Sequence, residues 1–327
     1  MYKRFYSLQK NPFEITPDPR FLFSTRKHNE ALAALYYGVK RRKGFVVLTG
    51  EVGTGKTLLV RCLLQLLSRA NVAYAYVFNP CLSPIEFLQY IAGDFQLRTE
   101  GKTKSEFLLD LCTFVIARHQ KGLPTVLVVD EAHHLSVEVL EEIRLLTNLE
   151  TAEEKLLQIL LIGQPELDQK LDSRSLRQLK QRIAMRSQLG CLDLLETRGY
   201  IHRRLQVAGS SEPEKLFPMN TILEVHRQSK GLPRLVNTIC ENALIHGYAR
   251  QLPAITPEIV EEVALDFRLN IEHVPEDQSA QAGASADVVQ AARTLLDLYA
   301  YLRNAQQSGA DLRVVVGTGA DKNEPYI

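Results

Sequence analysis

The sequence predicts an α/β fold followed by a smaller all-helical domain, and three observations indicate this. Up to about residue 194, short apolar runs rich in β-branched residues alternate with longer runs of helical periodicity. The first apolar run breaks into a glycine-rich turn that leads at once into a helical pattern. From about Leu195 onward the strand-like runs stop. Strands that alternate with helices form a parallel sheet covered by helices on both faces.

Five strands are expected. The first begins at Gly44, and the others cover about 72–78, 125–130, 157–162 and, more weakly, 187–192. Helices are expected at about 26–40, from Lys56, from a Ser83-Pro84 start, and at about 105–119, 137–150, 197–208, 219–230, 234–249, 257–268 and 286–306. We therefore divide the chain into an N-terminal arm and helix (1–43), a nucleotide-binding α/β domain (44–194), a helical domain (195–271) and a linker with a partly disordered tail (272–327).

Composition sets the broad class of the protein. The 327 residues are 45% apolar and 24% charged, as in soluble globular proteins, and a net charge of +1 gives no global attraction to nucleic acid or anionic membrane. We interpret the basic run at 40–43 as a solvated helix end rather than a nucleic-acid patch. The five cysteines are far apart, which is typical of buried thiols in a reducing compartment. No apolar run has the length of a membrane span and the first residues lack a signal-peptide core, so we expect a cytoplasmic protein.

The first nineteen residues contain several prolines and aromatic residues, which predicts an extended arm. Two interpretations remain open at this point. The arm either closes over the base of a nucleotide or packs on the core of the protein.

The glycine-rich turn predicts a phosphate-binding loop between a strand and a helix. Its glycines allow backbone N–H groups to face an anion, and the helix that begins at Lys56 directs its positive dipole end toward the same point. Lys56 is placed to reach the β- and γ-phosphates, and the Thr57 hydroxyl to bind Mg²⁺. The predicted nucleotide-binding residues are Gly50, Glu51, Val52, Gly53, Thr54, Gly55, Lys56, Thr57 and Leu58.

Two adjacent acids follow the apolar run that ends at residue 129. Asp130 is expected to hold the Mg²⁺ shell, and Glu131 to take a proton from the attacking water. The alternative, that this pair only caps the next helix, is less consistent with the Lys56-Thr57 motif upstream. His133 and His134 come next, but the sequence offers too few further ligands for a zinc site, so we expect them to shape the turn.

Three further polar residues are candidates for contacts with the reacting phosphate. Gln164 follows the fourth strand and is predicted to touch the γ-phosphate or the water, although it could simply begin a helix. Arg182 is our candidate for an arginine that acts on a neighbouring subunit, with Arg177 and Arg186 as alternatives and a solvated basic helix face as the competing interpretation. Arg234, in the first turn of a helix of the second domain, is predicted to reach the γ-phosphate of its own subunit.

Taken in order, these motifs resemble those of AAA+ ATPases. The resemblance extends to secretion-pathway ATPases of the GspA or ExeA type through the segments 1–6, 11–13, 17–21, 45–57, 163–167 and 200–205, and it covers about residues 1–270. It implies a P-loop NTPase sheet of order 5-1-4-3-2, a helical lid domain, ATP and Mg²⁺ as cofactors, and the site roles given above. Many such ATPases continue into a membrane span and a cell-wall-binding domain. This sequence contains neither, which counts against a peptidoglycan role.

Two functions are consistent with this resemblance. The first is an ATP-hydrolysing protein that forms a homo-oligomeric ring or filament and drives or regulates assembly of an envelope secretion or exopolysaccharide export system with membrane-associated partners. The second is an ATPase of transposition or replication-initiator type that forms filaments on DNA, against which the near-neutral charge counts mildly. An ATP-gated scaffold with little turnover is disfavoured by the presence of Glu131.

Overall fold

The structure is a computed structural model that describes residues 1–14, 18–78 and 81–267. The predicted linker and the helix predicted at 286–306 lie outside the described residues.

Five parallel strands form the sheet predicted from the sequence. They are β1 (Phe45–Gly50), β2 (Ala73–Val77), β3 (Thr125–Val129), β4 (Leu157–Gly163) and β5 (Ile183–Leu189). Their order is β2-β3-β4-β1-β5, which confirms the order 5-1-4-3-2. Because all the pairings are parallel, the carboxyl ends of the strands meet at one edge of the sheet. Residues from distant parts of the sequence therefore converge at that edge.

Helices cover both faces of the sheet. Alternate strand residues point to opposite faces: Val46, Leu48 and Val128 pack in one core, while Val47 and Val129 pack in the other. The first core includes residues of α2 (Arg26–Lys40) and α3 (Lys56–Arg69). The second is formed with α4 (Pro84–Asp94), α5 (Lys104–Gln120), α6 (Val137–Leu146), α7 (Glu166–Leu171) and α8 (Arg177–Lys180).

The fifth strand and the helix before it differ from the prediction. The strand covers 183–189 instead of 187–192, and α8 ends at Lys180, so Arg182 lies in a turn rather than on a helix. β5 pairs only with β1, which makes it an edge strand. Its residues alternate between partly covered Met185 and exposed Arg186 and Gln188, whereas the prediction relied on a weak apolar run.

The second domain consists of helices α9 (Leu194–Val207), α10 (Pro213–Leu216), α11 (Met219–Ser229), α12 (Pro233–Ala249) and α13 (Pro257–Asp266). The four-residue α10 was not predicted, because one turn gives too short a pattern to detect. The N-terminal arm, which includes α1 (Tyr2–Phe5), packs in the core of this domain rather than on the sheet. The Phe13 and Phe217 rings meet edge to face with centroids 5.9 Å apart, and the Tyr2 hydroxyl donates to Glu241.

A buried arginine fixes the arm to the helical domain. Arg204 of α9 donates from Nε to the Pro12 carbonyl at 2.6 Å and from Nη2 to the Glu14 carbonyl at 3.0 Å. Its guanidinium also lies over the Phe21 ring, 4.9 Å from the centroid. Hydrogen bonds from a charged donor and a cation–π contact are each favourable, so this one side chain holds the arm at three residues, Pro12, Glu14 and Phe21. The arm thus runs from the core of the helical domain to the start of α2.

Candidate nucleotide site at the carboxyl edge of the sheet

The loop between β1 and α3 has the backbone that phosphate binding requires. Gly53 and Gly55 have φ angles of +84° and +97°, which residues with a β-carbon rarely adopt. Gly55 is the N-cap of α3 and, as a glycine, makes no side-chain capping hydrogen bond to the first amides of that helix. The N-terminal N–H groups of α3 and its dipole therefore remain directed at the loop, where an anion is favoured.

Lys56 folds back over this loop. Its Nζ donates to the Gly50 carbonyl at 2.7 Å and to the Glu51 carbonyl at 3.0 Å, and only 5% of the residue is exposed. Burial lowers the pKa of Lys56, while the nearby carboxylates of Glu131 and Asp130 raise it. The ammonium thus lies between the loop and the acids that follow β3. A bound phosphate there would compete with the two carbonyls as a hydrogen-bond acceptor for Lys56 Nζ.

Asp130 faces the first helical turn after the loop. Its Oδ2 accepts hydrogen bonds from the Tyr76 hydroxyl at 3.0 Å and the Thr57 hydroxyl at 3.4 Å, and its Oδ1 accepts from the Glu131 amide at 2.9 Å. Burial raises the pKa of Asp130, and the bonds from Tyr76 and the Glu131 amide oppose that rise. The Asp130 and Thr57 oxygens are hard donors on adjacent elements. They fit Mg²⁺, which keeps water and phosphate oxygens as its other ligands.

Glu131 has an unusual backbone and a free carboxylate oxygen. Its φ of +51° is in the left-handed region, which a residue other than glycine seldom adopts and which is found disproportionately at functional sites. Its Oε2 atom is buried, has no hydrogen-bond partner among the described residues, and lies 3.5 Å from Nδ1 of His133. The Glu131 side chain as a whole is 40% exposed, so the carboxylate is open to the site and available to accept a proton.

Gln164 lies at the tip of β4, between the strands that carry the loop and the acids. Its backbone amide donates to Nδ1 of His133 at 3.4 Å, and the residue is half-buried. The sheet order thus brings Gln164 to the same edge as Lys56 and Asp130.

The three candidate arginines lie in different environments. Arg182 precedes the amino end of β5, and because Ile183 pairs with Phe45, it lies at the sheet edge opposite the loop. Its Nη1 donates to the Thr147 hydroxyl at 2.8 Å. Arg177 is exposed on α8, and Arg186 forms an ion pair with Asp168 at 3.2 Å. Arg182 therefore does not lie near the nucleotide site of its own subunit.

Arg234 contacts the loop directly. Its backbone amide donates to the Gly53 carbonyl at 3.2 Å, and a β-carbon added to Gly53 would lie only 2.5 Å from that of Arg234. The turn before it depends on Gly231, where an added β-carbon would lie 2.0 Å from the Leu192 carbonyl oxygen. The helical domain is thereby docked on the backbone of the loop.

Sequence reasoning missed two residues at this site. Tyr76 on β2 donates to Asp130, and His28 on α2 bonds to the loop carbonyl next to the one that Arg234 holds. The His28 Nε2 bonds to the Thr54 carbonyl at 3.0 Å, while its Nδ1 is 2.8 Å from the Thr25 hydroxyl. Burial lowers the pKa of His28, so the neutral ring donates from Nε2 to the carbonyl. The alternation Tyr74-Ala75-Tyr76 in the sequence was a signal that could have identified Tyr76. No local pattern in the sequence marks His28.

Comparisons with known proteins agree with this geometry. The family profile described as "AAA domain" matches residues 39–171. General secretion pathway protein A of Aeromonas hydrophila is 47% identical over 251 residues, which are 76% of this chain and 45% of that protein. The chain belongs to the AAA family of P-loop ATPases. The family resemblance inferred from the motifs is confirmed, including the similarity to the secretion-pathway type. This chain spans less than half the length of that relative.

Solved structures of low sequence identity share the fold of this AAA protein. The ORC2 protein of Aeropyrum pernix, solved as ADPNP-ADP complexes, has a TM-score of 0.59 at 17% identity and covers 79% of this chain and 72% of its own. Cdc6p of Pyrobaculum aerophilum has a TM-score of 0.58 at 17% identity, with coverages of 78% and 70%. The P-loop fold predicted from the sequence is confirmed. Among the helices in the described parts of the chain, none is both long and apolar enough to cross a bilayer.

The position of Lys56 generates the first prediction. Lys56→Ala should lower the affinity for ATP at least about 100-fold, because the loop loses the charge that lies between its carbonyls and the acids. Lys121→Ala is the matched control, since Lys121 is exposed before the amino end of β3, far from the loop. Calorimetric titration with ATP and Mg²⁺ measures both. Equal affinity in the Lys56 variant and the control would contradict the assignment of this loop.

Proposed function

We propose that this protein binds ATP with Mg²⁺ and hydrolyses it, and that it uses this cycle as a homo-oligomer to drive or regulate assembly of an envelope secretion or export system. The observation that supports hydrolysis is the partly exposed Glu131 carboxylate directly after Asp130, which accepts a hydrogen bond from Thr57. The similarity to general secretion pathway protein A supports the export process. All five cysteines lie in the described residues and none of them forms a disulfide, which is consistent with action in the cytoplasm.

Each side chain at the edge has a role in this proposal. The loop amides and Lys56 bind the phosphates, and Thr57 with Asp130 would hold Mg²⁺, which would supply positive charge next to the phosphate oxygens. Tyr76 keeps the Asp130 carboxylate oriented. Glu131 takes a proton from the water that attacks the γ-phosphate, and Gln164 orients that water. Because these groups are placed before the reaction begins, little reorganisation is needed in the transition state.

Two arginines are proposed to connect hydrolysis to larger assemblies. Arg234 already contacts the loop through its backbone, so its side chain needs little movement of the helical domain to reach the γ-phosphate. Arg182 lies at the opposite sheet edge, and it therefore serves a neighbouring subunit rather than its own. Contacts between two different surfaces of the same chain produce closed rings or open filaments.

DNA binding of the replication-initiator type is the second candidate. One of the solved structures that share the fold, with a TM-score of 0.59 at 17% identity, is Drosophila ORC bound to DNA. The side chains of Lys40, Arg41 and Lys43 are exposed at the amino edge of the sheet, and Arg42 is instead paired with Glu154. The ATPase rate, measured with and without double-stranded DNA across a salt series, separates the two candidates. Salt-sensitive stimulation by DNA would favour the second.

The role of Glu131 has a direct test. Glu131→Gln should lower the rate of ATP hydrolysis by about 10²- to 10⁴-fold and leave ATP affinity unchanged, because the amide keeps the shape of the carboxylate and cannot accept the proton. Glu153→Gln, in an exposed turn before β4, is the control. Phosphate release and calorimetric binding are measured on the same preparations. A Glu131 variant that hydrolyses ATP within a few-fold of the parent protein would show that another group activates the water.

The proposed action of Arg182 across subunits requires a mixing experiment. Arg182→Ala should bind ATP normally yet hydrolyse it about 10³-fold more slowly, and mixing it with Lys56→Ala should restore part of the activity. Arg177→Ala and Arg186→Ala are run in parallel and should remain active. An inactive mixture, despite assembly of the two variants together, would exclude Arg182 as a residue that acts on its neighbour.

A further inference from the structure

The histidine pair after the acids has no role in the function proposed above. His133 lies in a 3₁₀ turn, Ala132–His134, directly after Glu131, and its side chain is only 7% exposed. His134 is exposed, and its ring packs against that of His133 with centroids 4.0 Å apart. The His133 side chain is therefore buried and faces the nucleotide site, whereas His134 is exposed.

His133 joins the tips of β3 and β4. Its Nδ1 accepts the hydrogen bond from the Gln164 amide, and its carbonyl accepts one from Lys170 Nζ at 2.6 Å. Gly163 allows this approach, since a β-carbon added there would lie 3.3 Å from the His133 backbone nitrogen and 2.9 Å from the Leu167 side chain. The imidazole thus sets the spacing between the strand that carries Glu131 and the strand that ends in Gln164.

The hydrogen bond from Gln164 determines the tautomer of the ring. A nitrogen that accepts a hydrogen bond carries no proton, so the neutral ring is protonated on Nε2. Burial lowers the pKa of His133 and the adjacent His134 lowers it further, while the carboxylates of Glu131 and Glu166 oppose both effects. The ring is consequently neutral at neutral pH.

This tautomer has a consequence for Glu131. The carboxylate Oε2 lies 3.5 Å from the same Nδ1, and no hydrogen lies between the two atoms because Nδ1 accepts from Gln164. The ring therefore shields Oε2 from solvent without donating to it, and Oε2 remains buried and unpaired. A side chain that donated a hydrogen bond to Oε2 would stabilise the charged carboxylate and make it a weaker base toward the attacking water.

We propose that His133 is a positioning residue for ATP hydrolysis, which fixes Glu131 against the Gln164 strand tip and leaves its carboxylate free to accept a proton. This inference rests on the proposed role of Glu131 as the base. His133 itself touches neither nucleotide nor water in this account. It places Glu131 through the surface of its ring, and it places Gln164 through the hydrogen bond that its Nδ1 accepts.

The test compares His133→Ala with His134→Ala in the full-length protein. Because positioning errors of about 1 Å cost roughly 10²-fold in rate, His133→Ala should lower kcat by about 10- to 100-fold while ATP affinity stays within about twofold. His134→Ala should keep kcat near that of the parent. If His133→Ala does not fold, His133→Leu fills the same space without the acceptor and should show the same separation of rate from affinity.

A double-variant cycle shows whether His133 acts through Glu131. In single-turnover assays, adding His133→Ala to Glu131→Gln should slow hydrolysis by less than His133→Ala slows the parent protein, because only the effect through Gln164 remains. The inference would be overturned if kcat were normal in both His133→Ala and His133→Leu, or if both variants lost affinity for ATP. It would also be overturned if His133→Ala lowered the rate by the same factor in the Glu131→Gln background as in the parent protein. Fast hydrolysis by Glu131→Gln alone would instead contradict the proposed function, so the two failures are distinguishable.

Discussion

The phosphate-binding loop is held by hydrogen bonds that two separate elements donate to its own backbone carbonyls, and the rest of the structure depends on this arrangement. His28 donates to the Thr54 carbonyl from α2, and the Arg234 amide donates to the Gly53 carbonyl from the helical domain. A glycine-rich loop has high conformational entropy when it is unconstrained. Fixing two adjacent carbonyls orders the loop before nucleotide binds, and it makes the position of the helical domain sensitive to any change in the loop.

The N-terminal arm completes this connection. Its first turns pack in the core of the helical domain, where Arg204 holds the Pro12 carbonyl, and the chain then continues to Thr25, which caps α2 and contacts His28. The described parts of the arm therefore contact the helical domain at one end and, through Thr25 and His28, the loop at the other. A movement of the helical domain that follows ATP binding would be transmitted to the loop by both routes, through the arm and through Arg234.

The parts of this site that could be predicted from the sequence are those encoded locally. The loop, the acids after β3 and the turn at Gly231 each have a short pattern, and the alternation of strands and helices brings them to one sheet edge. Tyr76 and His28 were missed because their roles arise from packing between distant segments. The position of the arm depends on Arg204, whose partner Glu14 is 190 residues away in sequence. The predicted ends of β5 were wrong because the residues of this edge strand alternate between polar and apolar, whereas the prediction looked for a continuous apolar run.

The central claim is that the loop and the helical domain are coupled through the contact between Gly53 and Arg234. Hydrogen exchange at the Arg234 amide measures this contact directly, with the amide of buried Leu244 in the middle of α12 as an internal reference. Exchange at Arg234 should be at least about tenfold slower with a non-hydrolysable ATP analogue than with ADP, because the γ-phosphate draws the arginine toward the loop, while exchange at the reference amide should not change. Identical exchange at Arg234 in both nucleotide states would contradict the account.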